Sequence, residues 1–78
     1  MKVYQATTIN SVGKKFINKL LETQDNHGKY APIGLYFTYD EKSNKYIGCD
    51  NSTGDAWVEE FDKLADCIVW LFGIEEEK

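Results

Sequence analysis

The chain has 78 residues and a formal net charge of −4, with 42% apolar and 14% aromatic residues. This length fits one domain with a small core, and the apolar and aromatic content is too high for a disordered chain. Arginine, which most often binds phosphate and guanine, is absent. Together with the acidic total, this argues against nucleic-acid binding. We expect a single domain over residues 1–78, with residues 1–9 as an extended arm or edge strand and residues 74–78 as an acidic tail.

The charge is distributed unevenly along the chain. Residues 1–30 carry five lysines against two acids, which gives +3, whereas residues 31–78 carry four lysines against eleven acids, which gives −7. Three lysines of the first half, Lys14, Lys15 and Lys19, are spaced to lie on one side of a helix, where they form a solvated face or contact a phosphate. The acidic second half favours a protein partner.

The first predicted elements are an extended segment and a helix. Residues 2–8 contain β-branched and aromatic side chains and form either a strand or a terminal arm. A helix is expected from Asn10 or Ser11, both good N-cap residues, to about Thr23. His27 is expected as an exposed residue of the following loop. The apolar face of this helix comprises Val12, Phe16, Ile17, Leu20 and Leu21.

Two strands and an ambiguous third segment follow. Residues 33–39 alternate in the pattern of a half-buried strand, and residues 45–50 return after a polar hairpin loop. Residues 56–61 fit either a third strand or the beginning of the last helix. We favour the strand, because a two-stranded sheet is marginal in water. Asp62 would then cap the final helix.

The last predicted helix ends at Gly73, a typical residue after a helix C-terminus. Its periodicity places Leu64, Ile68, Leu71 and Phe72 inward and Trp70 outward.

The predicted order is (β)-α-β-β-β-α. It describes an α+β fold with a three-stranded antiparallel sheet, four-stranded if residues 2–8 join it, and two helices packed on one face. This order resembles the topology of the double-stranded-RNA-binding domain. The lysine-rich start of that domain's final helix is replaced here by Asp62-Lys-Leu-Ala-Asp66, so RNA binding does not carry over.

The sequence contains no strong catalytic or metal-binding motif. Glu59 and Glu60 are adjacent acids, but in a strand they point to opposite faces and cannot act on one substrate. Residues 50–55 resemble a calcium loop only in part and are better explained as a turn held by side-chain hydrogen bonds. Two cysteines and one histidine are too few for a structural zinc site. We therefore expect a non-enzymatic protein without a cofactor or bound metal.

The expected location is the cytoplasm. The N-terminal residues lack the apolar core of a signal peptide, and no apolar run approaches the ~20 residues of a membrane span. In that compartment Cys49 and Cys67 stay reduced and act as small apolar residues.

Aromatic side chains beside acids are the main functional signal. If both helices cover the Leu35 face of the sheet, the opposite face exposes tyrosines next to acids, a composition typical of protein interfaces. An outward Trp70 adds to this, because exposed tryptophans often anchor partners. The predicted partner-binding residues are Tyr36, Tyr46, Asp50, Asp55, Glu59, Glu60, Asp66 and Trp70.

Two stretches, Gly34-Leu-Tyr-Phe-Thr-Tyr-Asp40 and Asp50-Asn-Ser-Thr-Gly-Asp-Ala-Trp-Val-Glu-Glu-Phe-Asp62, resemble small uncharacterised proteins carried by conjugative transposons and phages of Gram-positive bacteria. Thr7-Thr8 followed by Gly13-Lys-Lys-Phe16 also fits that group. The resemblance spans most of the chain and implies accessory or regulatory work, but it transfers no catalytic or binding residue.

The leading hypothesis is a non-enzymatic module that binds a protein through its acidic, aromatic-bearing half. One alternative is a host-defence inhibitor of the anti-CRISPR or antirestriction type, whose acids imitate nucleic-acid phosphates, although −4 is a modest charge for such a mimic. Another is a weak nucleic-acid binder that uses Lys14, Lys15, Lys19 and Lys29. A homodimer through the open sheet face or an edge strand is compatible with each of these hypotheses.

Overall fold

The structure is a computed structural model that describes residues 8–73. An α+β fold with two helices and one sheet is confirmed; the sheet has four strands, where three were expected and a fourth, at residues 2–8, was left open, and the observed first strand lies at Ile9–Ser11. Most of the expected N-terminal arm (residues 1–7) and the expected acidic tail (residues 74–78) lie outside the described residues. The elements are β1 (Ile9–Ser11), α1 (Lys14–Leu20), β2 (Gly34–Asp40), β3 (Lys45–Asn51), β4 (Trp57–Phe61) and α2 (Leu64–Phe72).

The sheet has the strand order β1-β2-β3-β4. The pairings of β2 with β3 and of β3 with β4 are antiparallel, as predicted. Strand β1 instead pairs with β2 in parallel, so the sheet is mixed. Parallel neighbours cannot be joined by a tight hairpin, and the crossover between them contains α1.

Helix α1 begins later than the sequence suggested. The expected caps, Asn10 and Ser11, belong to β1, where Ser11 pairs with Phe37. The Val12 N–H extends this pairing by donating to the Phe37 carbonyl at 2.9 Å. Gly13 therefore takes the N-cap position without a side-chain hydrogen bond. Pairing with β2 outweighs the local preference of Asn10 and Ser11 for capping, and the expected start of the helix is wrong.

The two helices lie on opposite faces of the sheet, so the prediction of one shared face is wrong. Successive residues of a strand point to opposite faces. Leu35 is buried against Cys67 and Leu71 of α2. Its neighbour Tyr36 is buried in a cluster with Ile17 and other residues of the α1 side. Helix α1 lies in the β1–β2 crossover and α2 follows β4, so each helix covers its own face and the middle of the sheet is buried on both.

The prediction of a strand rather than a helix at residues 56–61 is confirmed, since β4 spans Trp57–Phe61. The expected cap Asp62 does not cap α2. Lys63 occupies the N-cap position without a side-chain hydrogen bond, and the Asp62 carboxylate pairs with Lys45. The helix ends as predicted, with Gly73 in the left-handed conformation at φ 68°.

Asn51 positions the beginning of β4. Its side chain is fully buried. The amide nitrogen donates to the Tyr30 carbonyl at 3.1 Å and to the Pro32 carbonyl at 2.8 Å, and the amide oxygen accepts from the Ala56 N–H at 3.0 Å. Three bonds from one buried amide tie the loop before β2 to the turn before β4, and each replaces a bond that water would otherwise supply.

Candidate protein-binding surface

Strand β4 is an edge of the sheet. It pairs with β3 and with no other strand among residues 8–73. A helix with its side chains is about 10 Å wide and neighbouring strands are about 4.8 Å apart, so one helix covers about two strands. Helix α1 packs mainly on β2 and α2 mainly on β3. The first four residues of β4 are consequently exposed, and in the part of the chain that the structure describes no strand pairs with its outer backbone N–H and C=O groups.

The side chains of β4 place one apolar and one acidic residue on each face of the sheet. Trp57 and Glu59 point to the α2 face, and Val58 and Glu60 point to the α1 face. Trp57 is 65% exposed, the largest fraction among the large apolar side chains of the described residues, and Val58 is 40% exposed. We call these four side chains, together with the outer backbone edge of β4, the β4 surface.

Several other acids are neutralised by lysines. In each ion pair, hydrogen bonding from the lysine ammonium lowers the pKa of the aspartate. The three pairs in the described part of the chain are Lys14–Asp40 at 3.1 Å, Lys29–Asp55 at 2.9 Å and Lys45–Asp62.

Glu59 and Glu60 differ from these aspartates. Within residues 8–73 neither glutamate forms an ion pair, and both are exposed. Asp66, exposed on α2, is likewise without an ion pair there. The β4 surface therefore carries negative charge that an external cation can reach.

Tyr36 does not belong to this surface, and its expected exposure is wrong. It is only 6% exposed, because α1 covers the face that was expected to be open. The phenol occupies space left by Gly34, where a Cβ would lie 2.7 Å from the tyrosine oxygen. Its hydroxyl lies 3.2 Å from the Pro32 carbonyl and 3.1 Å from the Ile33 carbonyl, to which it can donate. Burial raises the pKa of Tyr36.

Trp70 also differs from its prediction, because it points towards the sheet. It is half-buried, and its ring centroid lies 5.5 Å from that of Phe61. The missing side chain of Gly48 makes room for it, since a Cβ there would lie 3.1 Å from the indole. Helix α2 is rotated accordingly, and Leu64 and Phe72, which were expected inside, are 39% and 37% exposed.

The remaining predicted residues lie around β4. Tyr46 is half-buried, and its ring centroid lies 4.9 Å from that of Tyr39. Asp50 accepts hydrogen bonds from the Ser52 N–H and hydroxyl at 3.0 and 2.7 Å, which confirms a turn held by side-chain bonds. Asp55 is exposed but paired with a lysine. Of the predicted set, Glu59 and Glu60 alone form part of the β4 surface.

The exposure of Trp57 was not predicted. The predicted order of elements contained a signal for this exposure. Residues 56–61 are the last predicted strand and so lie at an edge of the sheet, and the short helix that follows covers such a strand only in part. The prediction focused on the helical period of residues 64–72 and selected Trp70 instead.

The cysteines do not form a reactive site. Both are buried, Cys49 on the α1 side of the sheet and Cys67 on the α2 side. Burial raises the pKa of the Cys49 thiol to about 11 and also raises the pKa of Cys67. Since the thiolate is the nucleophile, both groups are poorly reactive in the folded protein.

A surface depression of about 400 Å³ lies between α1 and the β2–β3 hairpin. Its formal charges cancel, because it is lined by two lysines and two acids, and one lysine and one acid of these form the Lys14–Asp40 ion pair. The depression is lined by Lys14, Asn18, Tyr39, Asp40, Glu41 and Lys42.

The residues described by the structure include no group of three or more His, Cys, Asp or Glu side chains placed to share a metal ion. Within residues 8–73, neither helix is long and apolar enough to cross a bilayer. No protein-family model, curated protein or solved structure matches this chain.

Proposed function

We propose that this protein is a non-enzymatic protein-binding module and that its partner binds at the β4 surface. The observation that supports this most directly is an edge strand that, within residues 8–73, has no outer strand partner and lies beside a 65% exposed Trp57 and two glutamates without ion pairs. A large exposed indole contributes little to folding but provides a broad apolar contact for a partner. The negative carboxylates of Glu59 and Glu60 beside it favour a positively charged partner and fix its orientation on the surface.

The chemistry of the surface favours a partner with a basic, partly apolar segment. Glu59 and Glu60 attract lysine or arginine, whereas Trp57 and Val58 require apolar side chains. Exposed pairs contribute little affinity individually. We therefore expect Trp57 to supply much of the affinity and the glutamates to select a positively charged partner and speed its association.

The ion pairs weaken both alternative hypotheses. Mimicry of a nucleic acid needs a dense array of unpaired acids, yet Asp40, Asp55 and Asp62 are each neutralised by a lysine. Nucleic-acid binding through Lys14, Lys15, Lys19 and Lys29 needs free lysines, yet two of these four, Lys14 and Lys29, take part in the same ion pairs.

The resemblance of residues 34–40 and 50–62 to proteins of conjugative transposons and phages supports an accessory role in such an element. In this proposal the module acts in the cytoplasm, without a cofactor, by binding to a partner protein.

The proposal is tested by affinity capture from nuclease-treated bacterial lysate with tagged wild-type protein and matched variants. Trp57→Ala removes the apolar anchor, and Glu59→Lys/Glu60→Lys reverses the charge of the surface. Lys15→Ala on α1 is the control, because it changes an exposed charge outside the β4 surface.

We expect one stoichiometric protein that is retained by wild type and by the control, is lost by both β4 variants, and contains a segment rich in lysine or arginine. Its capture should weaken at high salt. Equal capture by all four baits would contradict the proposal. So would recovery of nucleic acid alone from untreated lysate, lost in the control variant, because it would identify α1 as the functional surface.

A further inference from the structure

We infer that the partner binds as an added strand, as an extended basic segment that pairs antiparallel with β4 and becomes the fifth strand of the sheet. This inference rests on the proposed function and specifies how binding at the β4 surface takes place. The outer backbone groups of β4 lie along a strand of five residues, long enough to pair with a peptide segment. An added strand would satisfy these groups, and its main-chain hydrogen bonds would add to the affinity that Trp57 supplies.

The placement of the two glutamates determines the partner's conformation. Glu59 and Glu60 are consecutive residues of a strand, so one carboxylate lies above the sheet and the other below it. A helix or a compact loop docked on one face reaches only one of them. A chain that runs along the edge places its own consecutive side chains above and below the sheet, so two consecutive basic residues reach both.

The neighbouring residues extend this pattern. Directly opposed residues of paired strands lie on the same face, so an antiparallel segment meets Phe61, Glu60, Glu59, Val58 and Trp57 in that order. The complementary sequence, read from its N-terminus, is apolar, basic, basic, apolar, aromatic. An antiparallel addition also continues the arrangement already present in β2, β3 and β4.

A second copy of the chain is a poor occupant of the same edge. If β4 paired antiparallel with itself over most of its length, the glutamates of the two copies would lie directly or diagonally opposite one another. Like charges in those positions are destabilising, and charged residues on edge strands are a common means of preventing self-association. Glu59 and Glu60 therefore attract a basic strand and repel the β4 strand of a second copy.

The test uses the acetylated and amidated peptide Thr-Ile-Arg-Lys-Val-Phe-Thr as a probe, with its affinity for the full chain measured by isothermal titration calorimetry. Two further peptides carry N-methyl groups on alternate residues, one on Ile, Lys and Phe and the other on Arg and Val. In an added strand, only alternate N–H groups point at β4, so one methylated peptide should lose at least about tenfold in affinity and the other should bind like the parent.

Protein variants separate this inference from the proposed function. We expect Glu59→Lys/Glu60→Lys and Trp57→Ala each to weaken the parent peptide about tenfold, and Lys15→Ala to leave it unchanged. If these variants act as expected but both methylated peptides bind like the parent, strand addition is wrong. Binding of a basic partner at the β4 surface, the proposed function, would still be supported. If the parent peptide gives no saturable binding up to millimolar concentration, strand addition is also overturned, whereas the capture experiment can still succeed. Loss of selective capture together with peptide binding unaffected by the β4 variants would overturn both.

Discussion

Strands β2 and β4 are both antiparallel neighbours of β3, yet they have opposite environments. In β2, Leu35 and Tyr36 are buried on the two faces of the sheet by α2 and α1. In β4, the first four residues are exposed on both faces. The backbone pairing is of the same kind, so the difference arises from the helices, which cover the middle of the sheet and leave this edge open. β2 therefore contributes to the core, and β4 is available for recognition.

The two tryptophans show the same contrast. Trp70 fills the space above Gly48 and packs against Phe61, whereas Trp57 is 65% exposed. One indole is part of the fold and the other is available to a partner. The experiments below test this division between a structural and a recognition role, and they are ordered by the size of the expected effect.

The largest effect is expected at Asn51, which joins the end of β3 to the beginning of β4. Asn51→Ala removes three hydrogen bonds and leaves the Ala56 N–H and two carbonyls without that partner. Unsatisfied buried groups cost about 1–3 kcal/mol each, so we expect the free energy of unfolding to fall by about 3 kcal/mol. Urea denaturation followed by circular dichroism measures it. A loss below about 1 kcal/mol would mean that water replaces the amide.

The tryptophans provide the next comparison. Trp70→Ala should lower the free energy of unfolding by about 3 kcal/mol, because it removes an indole packed between α2 and the sheet. Trp57→Ala should change it by less than about 1 kcal/mol, since most of that side chain is already in water. Chemical denaturation of both variants measures the difference. Similar losses for the two variants would show that Trp57 is part of the core, and its role as an exposed anchor would then be wrong.

Gly48 and Glu59 form a matched pair that compares a strand position covered by a helix with an exposed one. Gly48 and Glu59 are directly opposed in β3 and β4 and point to the same face. Gly48→Val forces methyl groups into Trp70 and Cys67, which lie 3.1 Å from an added Cβ, and should destabilise the fold by about 2 kcal/mol. Glu59→Val places the same side chain in solvent and should change stability by about 0.5 kcal/mol or less. Thermal unfolding compares the two variants; equal shifts would contradict the assigned environments.

These residues also show what the sequence could predict. Periodicity and turn residues sufficed for the strands at 33–39 and 45–50, for the third strand at 56–61 and for the helix end at Gly73, because those signals are local. The start of α1 was missed because pairing of Ser11 with Phe37 is a long-range contact that local capping preferences do not contain.

The candidate site was predicted only in part for a related reason. Glu59 and Glu60 were identified, since charged residues on a strand are usually exposed. Tyr36 and Trp70 were misplaced because their burial depends on which face each helix covers and on space left by Gly34 and Gly48. Neither property is encoded in the spacing of apolar residues along one element.

Removing the charge of β4 should change how the chain associates with itself. Glu59→Thr/Glu60→Thr keeps two strand-forming residues but eliminates the repulsion between identical edges. We expect sedimentation equilibrium at millimolar concentration to show a dimer for this variant and a monomer for wild type. Glu41→Thr/Lys42→Thr, in the β2–β3 hairpin loop, is the control. A wild-type dimer that persists in the β4 variant would locate self-association on another surface.

The smallest effect concerns pH and the aspartates that are paired with lysines. Asp40, Asp55 and Asp62 have pKa values lowered chiefly by hydrogen bonds from their lysines. Because their pKa is lower in the folded chain than in the unfolded chain, their contribution to stability is complete above about pH 4 and is lost as the pH falls through the folded-state values. Asp55 and Asp62 are exposed and Asp40 is paired with a partly exposed lysine, so the loss should be a shallow decline in the urea midpoint below pH 4.

Substitution then shows which acids cause that decline. Asp40→Asn/Asp62→Asn should flatten it, because these variants no longer lose ion pairs on protonation. Lys14→Gln/Lys45→Gln should flatten it to a similar extent, because it removes the ammonium groups whose hydrogen bonds lower the pKa of Asp40 and Asp62. A decline that keeps its slope in both variants would show that acids other than Asp40 and Asp62 cause it.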